Sequence, residues 1–250
     1  MKNAVGTRMQ VIVAHPDDET FGCGSLLLHA RNAGAVTAVC CATRGEAGEV
    51  THGVGIPPGG VGALREGELR AAARLLGVQR VDLLDLLDSG MGGEAGPGTL
   101  MAVETPLVRS RVLRAVDAFG PDVIVTLDGS DGHRDHARVR DIAIEVAAER
   151  GVPVYLQCLA RSVMKRWAEH MSHEQADSAY LTLGELGTPD DQITHVIDTT
   201  EFWQQRWTAI HAHQSQTSPF EGLPEDLARA FLCREHLTLV QDAATAGAQV

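Results

Sequence analysis

His15, Asp17, Asp18 and Glu19 fall within five residues, HPDDE, directly after the apolar run VIVA. A second group, His133, Asp135 and His136 in DGHRDHARV, follows the apolar run DVIVTLD in the same way. Imidazole and carboxylate are ligands for divalent metals. Two histidines and one carboxylate hold such an ion while leaving positions for water and a substrate. A further carboxylate beside the ion can take the proton of its water. A lone Asp-Asp-Glu after a strand usually does no more than cap the next helix. The second histidine-rich strand end in the same chain is what points past capping to a site.

The elements that would carry these groups alternate. Strands are expected at 9–14, 35–43, 81–86, 122–128 and 152–159. Helices are expected at 25–34, 64–78, 103–120 and 136–151. Helix 64–78 keeps Leu69, Ala72, Ala73 and Leu76 on one face, and helix 103–120 stops at Gly120 before Pro121. Strict alternation predicts a doubly wound, mostly parallel sheet with helices on both faces. In such a sheet, loops after the strands share one edge, where ligands bind. Both chemical motifs are such loops, as are the Gly/Pro-rich stretches 44–62 and 88–102. Beyond 160 the pattern is weaker, with a strand expected at 194–200, a helix at 201–214 and a frayed tail at 242–250. On that helix His211 and His213 would face different ways and could not share a metal. Trp203 and Trp207, four apart, read as packing before they read as a sugar platform.

AHPDDE followed much later by GHRDH resembles the LmbE-like, or PIG-L, zinc-dependent N-acetylglucosaminyl de-N-acetylases. TRGEAGE (43–49), LREGELRAAARLLGV (64–78) and RWTAIHAHQSQ (206–216) extend the likeness over roughly residues 8–220. DSGMGG (88–93) looks like the branch that deacetylates or cleaves mycothiol precursors and conjugates. The resemblance implies a Rossmann-like core at 8–160 within one domain of 1–250. A smaller C-terminal α/β extension at 161–240 would shape the substrate pocket. It implies His15, Asp18 and His136 as metal ligands and Asp17 as general base. It implies His133, as an imidazolium, for stabilising the oxyanion and protonating the leaving amine, with Asp135 as its orienting partner. Arg65, Asp88 and Glu46 match positions that hold substrate. The implied cofactor is Zn2+, with Fe2+ accepted by the same ligands, and the implied substrate a small amino-sugar conjugate. Two positions depart from the pattern. Arg134 stands where the family usually has proline, and Asp131 where some mycothiol-pathway members have tyrosine.

The 250 residues suffice for a sizeable core, and the net charge of −12 disfavours a phosphate backbone as partner. Five cysteines without a CxxC pair read as reduced thiols of a cytoplasmic chain. No apolar run approaches the roughly 20 residues that span a bilayer, so no membrane partner is expected, and a homo-oligomer stays open. Two rival readings remain. Non-haem iron enzymes use the same donor types, normally on an all-β fold. A non-catalytic nucleotide- or sugar-binding module would suit the sheet, but the first βα turn reads HPDDETFGCG rather than GxGxxG.

Overall fold

The inner strands are apolar almost residue for residue because helices cover both of their faces. In the computed structural model, which describes residues 6–174 and 184–240, β1 (Arg8–Val13), β2 (Val36–Thr43) and β4 (Val123–Leu127) are buried along nearly their whole length. With β3 (Arg80–Leu86) and β5 (Val154–Cys158) they form a parallel set. Two further strands, β6 (His195–Asp198) and β7 (Arg234–Leu239), complete a seven-stranded sheet of order β3-β2-β1-β4-β5-β7-β6. β7 is antiparallel to both neighbours.

The helices are α1 (Asp18–Phe21), α2 (Gly24–Asn32), α3 (Gly60–Leu76), α4 (Thr105–Phe119), α5 (Arg134–Arg150), α6 (Arg161–Glu174), α7 (Trp203–Ile210) and α8 (Glu225–Leu232). Alternate residues of one strand feed opposite cores, as the two-residue period requires. Val11 and Val13 pack with Leu26, Leu27, Leu69 and Leu76 of α2 and α3. Ile12 packs with Val108, Val112, Val139 and Ile142 of α4 and α5. Each such leucine is at most 1% exposed and contributes roughly 1.5–3 kcal/mol by burial.

The expected strands and helices of residues 9–159 are present with shifted ends. α3 starts at Gly60, four residues earlier than its apolar stripe suggests, and α5 starts at Arg134, so His133 is its N-cap. The expected helix 201–214 ends at Ile210. Three-residue bonds from the His213 and Ala212 amides to Ile210 and Ala209 then turn the chain inward. α6, α8 and β7 were not expected. β7 hides from a hydropathy reading because its inward-facing Glu235 is 0% exposed, paired with Arg206 at 2.8 Å. Trp203 and Trp207 stack on each other, with Arg229 over the outer face of the pair, against Phe220 and Leu232. The tail 242–250 lies outside the described residues.

β2 and β3 lie on one side of β1, and β4 and β5 on the other. The winding therefore reverses between β1 and β4, paired from Met9–Val123 to Ile12–Thr126. At such a reversal a crevice opens beyond the carboxyl ends of the two strands. HPDDE follows one of them and DGSDGHRDH the other.

Candidate active site at the carboxyl edge

The turn after β1 is strained and tied down. Asp17 has φ 108°, a left-handed conformation that costs a non-glycine residue about 1–3 kcal/mol and persists only where the surroundings impose it. Its amide donates to Glu19 Oε2 at 2.9 Å, and its Oδ2 accepts from Arg65 Nη2 at 2.9 Å. The Asp18 carboxylate turns back to accept the amides of His15 (2.8 Å) and Ala14 (3.2 Å). Beyond β4, Gly129 (φ 72°) lets the chain approach the first turn of α5. A Cβ there would lie 3.1 Å from the backbone of Ala137. Asp131 Oδ1 accepts the His133 amide at 3.0 Å, and His133 Nδ1 caps α5 by accepting the Asp135 amide at 3.2 Å.

These two turns bring three donors together. His15 Nδ1 lies 3.2 Å from His136 Nε2, His136 Nε2 lies 3.2 Å from Asp18 Oδ1, and Asp18 Oδ2 lies 3.6 Å from His15 Nδ1. Ligands on a tetrahedron with metal–donor bonds of 2.0–2.1 Å are about 3.3–3.4 Å apart. The outer nitrogens fix the tautomers. His136 Nδ1 donates to Asp131 Oδ2 at 2.5 Å. His15 Nε2 faces Asp88 Oδ1 and Asp135 Oδ2, each at 3.3 Å. With carboxylates on the outer nitrogens, the inner nitrogens are the ones placed to bind a cation. A carboxylate behind each imidazole is the usual support of a metal-binding histidine. The donor set thus fits a divalent ion. Two wider groups, His15/His133/His136 and His15/Asp88/Asp135, also have donor atoms within 4.8 Å. The second uses the His15 nitrogen already committed to two carboxylates, and Asp18 gives the first a closer, anionic alternative to His133.

The electrostatics agree. Burial would lower the His15 pKa, but Asp135, Asp18 and Asp88 hold it well above the ordinary value. Burial likewise opposes, and Asp18 and Asp131 override, at His136, which is raised to about 10. Against its own burial, Asp18 is held well below the carboxylate range by His136 and His15. A field that keeps protons on two buried imidazoles also attracts a dication, which would displace those protons. Asp17 is pushed up to about 6, first by burial, with Arg65 pulling down and Asp18 pushing up. His133 is pushed down to about 4 by burial and by its neighbours His15 and His136.

Several expected residues make contacts that the resemblance did not imply. The Asp135 carboxylate supports His15 and accepts the Ser89 amide at 3.0 Å; only its backbone reaches His133. His133 Nδ1 accepts the Asp135 amide, and burial with its neighbours His15 and His136 favours the neutral imidazole. Arg65 is 4% exposed, and its two terminal nitrogens donate to Asp17, Pro16 O and Gly45 O, so it braces the Asp17 turn, while its buried Nε has no partner among the described residues. Asp88 Oδ1 faces His15 and accepts the Gly90 amide, while Glu46 Oε2 accepts the Asp88 amide at 3.2 Å. Asp131, noted in the sequence only as a departure, holds His136; its place five residues ahead of that histidine was the available signal. His213 is off the helix, 2% exposed, and meets Glu19 at 2.8 Å, tying the C-terminal turn to the strained Asp17. A contact 194 residues apart leaves no local trace.

A mostly parallel α/β sheet with a two-histidine, one-carboxylate donor set at its winding reversal defines the class: a Rossmann-like chain with a metal-type site. The chain belongs to the PIG-L family, whose profile, described as GlcNAc-PI de-N-acetylase, matches residues 10–147. It is 32% identical over 267 residues to a 1D-myo-inositol 2-acetamido-2-deoxy-alpha-D-glucopyranoside deacetylase of Actinosynnema mirum, covering 93% of this chain and 91% of that one. Among solved structures, the zinc-inhibited form of teicoplanin deacetylase Orf2 matches with TM-score 0.62 and 18% identity, over 95% of this chain and all of that one. GalB, a 4-carboxy-2-hydroxymuconate hydratase of Pseudomonas putida, matches with TM-score 0.61 and 18% identity, over 94% and 96%. The fold therefore does not by itself select a reaction.

Proposed function

We propose that the chain hydrolyses the acetamide of a small N-acetylglucosamine conjugate, releasing free amine and acetate, with Zn2+ held by His15, Asp18 and His136. The observation that carries the reading is the convergence of His15 Nδ1, His136 Nε2 and the Asp18 carboxylate at 3.2–3.6 Å. Family membership and the deacetylase relative support it. A metal held there would supply Lewis-acid chemistry, acidifying water and polarising the amide carbonyl.

The residues supply the rest. Asp17, raised to about 6, is ionised at neutral pH and basic enough to take a proton from the attacking water. Its strained turn and the Arg65 bond fix where that oxygen points. As the carbonyl carbon becomes tetrahedral, its oxygen gains negative charge, and the neutral His133 donates Nε2–H to it. The proton held by Asp17 passes to the amine nitrogen, the C–N bond breaks, and the acetyl carbon leaves as acetate. Asp88, Asp131 and Asp135 keep the two imidazoles oriented. His213 and Ser215 tie the C-terminal part of the chain to Glu19 and Glu68, the contacts through which it would shape the pocket.

The relative's name puts a GlcNAc moiety joined to myo-inositol first among conjugates. Incubation of the zinc-loaded chain with that compound, N,N'-diacetylchitobiose and free N-acetylglucosamine, read by amine release, tests this. Preference for the inositol conjugate is expected. Preference for the chito-sugar would move the substrate class, and no release from any member would remove amino sugars from the account.

A further inference from the structure

Arg134 leaves the first turn of α5 and folds onto the loop after β3. Its Nε donates to Gly90 O at 2.8 Å, Nη1 to Gly93 O at 2.8 Å, and Nη2 to Gly92 O at 3.1 Å and to Ser89 O. One planar guanidinium thus gathers four carbonyls of a five-residue stretch, a task suited to its fixed fork of donors. Gly90 and Gly93 are both in left-handed conformations (φ 64° and 79°), so the stretch has little regular structure of its own. Two supports of the metal-type site lie at its start: the carboxylate of Asp88, the residue before it, faces His15 Nε2, and the Ser89 amide donates to the Asp135 carboxylate, which faces the same nitrogen.

We propose that Arg134 is a positioning residue of the metal site, acting at a distance by clamping 88–93 so that Asp88 and Asp135 hold His15 in its binding orientation. This rests on the metal reading above. The helix gives a clean test. Arg134 is the first residue of α5, a position where proline is well tolerated, and His133 already has the extended backbone (φ −76°, ψ 122°) that a following proline requires. Arg134→Pro therefore removes the guanidinium while leaving α5 able to form. Arg134→Lys keeps the charge but loses the fork.

The measurement is zinc affinity of the full chain by competition with a chromogenic chelator, with hydrogen exchange of the 89–93 amides. Both variants are expected to bind zinc about tenfold more weakly, the lower end for loss of a supporting partner, and to exchange those amides faster. Zinc affinity within twofold of the wild type overturns the proposal. So does weakened zinc binding with unchanged loop exchange, because the effect would then pass through α5. A wild-type chain that binds no zinc overturns the metal reading itself. A wild-type chain that binds zinc with unaltered variants overturns only the clamp.

Discussion

Replacing Arg65 should move the pH profile of the reaction rather than simply lower it. As the proposed base Asp17 must be ionised to accept a proton, and its pKa of about 6 is a balance in which burial pushes up and Arg65 pulls down. The Arg65 Nη2–Asp17 Oδ2 bond is 2.9 Å long and largely buried. A hydrogen bond to a charged group contributes about 1.5–3 kcal/mol, or roughly one to two pK units at about 1.36 kcal/mol per unit. In Arg65→Met the Asp17 pKa rises to about 7–8. The ionised fraction at pH 7 then falls from about nine-tenths to between one-half and one-tenth. The acid limb of kcat/KM, which reports groups of the free enzyme, shifts upward by the same one to two units, and activity recovers above about pH 9. Arg65→Lys keeps a cation beside Asp17 and shifts the limb less. Initial rates of amine release between pH 4.5 and 9.5 decide this. A profile lowered at every pH without displacement would refute the role given to Arg65.

Other perturbations separate the parts of the site. His133→Ala is expected to lower kcat by about 10²–10³ with zinc content unchanged; loss of the metal would instead make His133 a ligand. Asp131→Asn should weaken zinc binding about 10–100-fold, measured by chelator competition, since the His136 Nδ1 bond at 2.5 Å loses its carboxylate. Away from the site, Arg206→Met strands the fully buried Glu235, whose second oxygen has no partner among the described residues. It should cost about 3–5 kcal/mol in urea unfolding, and adding Glu235→Leu should recover only part of that, because the Thr20, Phe21 and Leu232 carbonyls still lose their guanidinium donor.

What the sequence disclosed depended on how local each cause was. The inner strands could be read because a doubly covered strand is apolar throughout, and the paired motifs because each is contiguous and follows such a strand. β7 was hidden by Glu235, a charge whose compensation by Arg206 exists only in three dimensions. The helix reading of 201–214 ran too far because His213, with Ser215 beyond it, turns to Glu19 and Glu68, contacts that outweigh local propensity. The resemblance singled out Asp135 and Arg65, but which partner each faces follows from how α3 and the turns after β1, β3 and β4 meet at the sheet edge. Asp135 meets His15 across 120 positions, and Arg65 meets Asp17 across 48.

The central claim, hydrolysis of an acetamide at a His15–Asp18–His136 metal site, is tested most directly by one titration. The chain is stripped with a chelator, zinc is returned in measured amounts, and release of amine and acetate from the GlcNAc–inositol conjugate is followed. The account predicts no release from the stripped chain, restoration that saturates near one zinc per chain, and equal amounts of both products. Release that persists without metal, or amine formed without acetate, would contradict it.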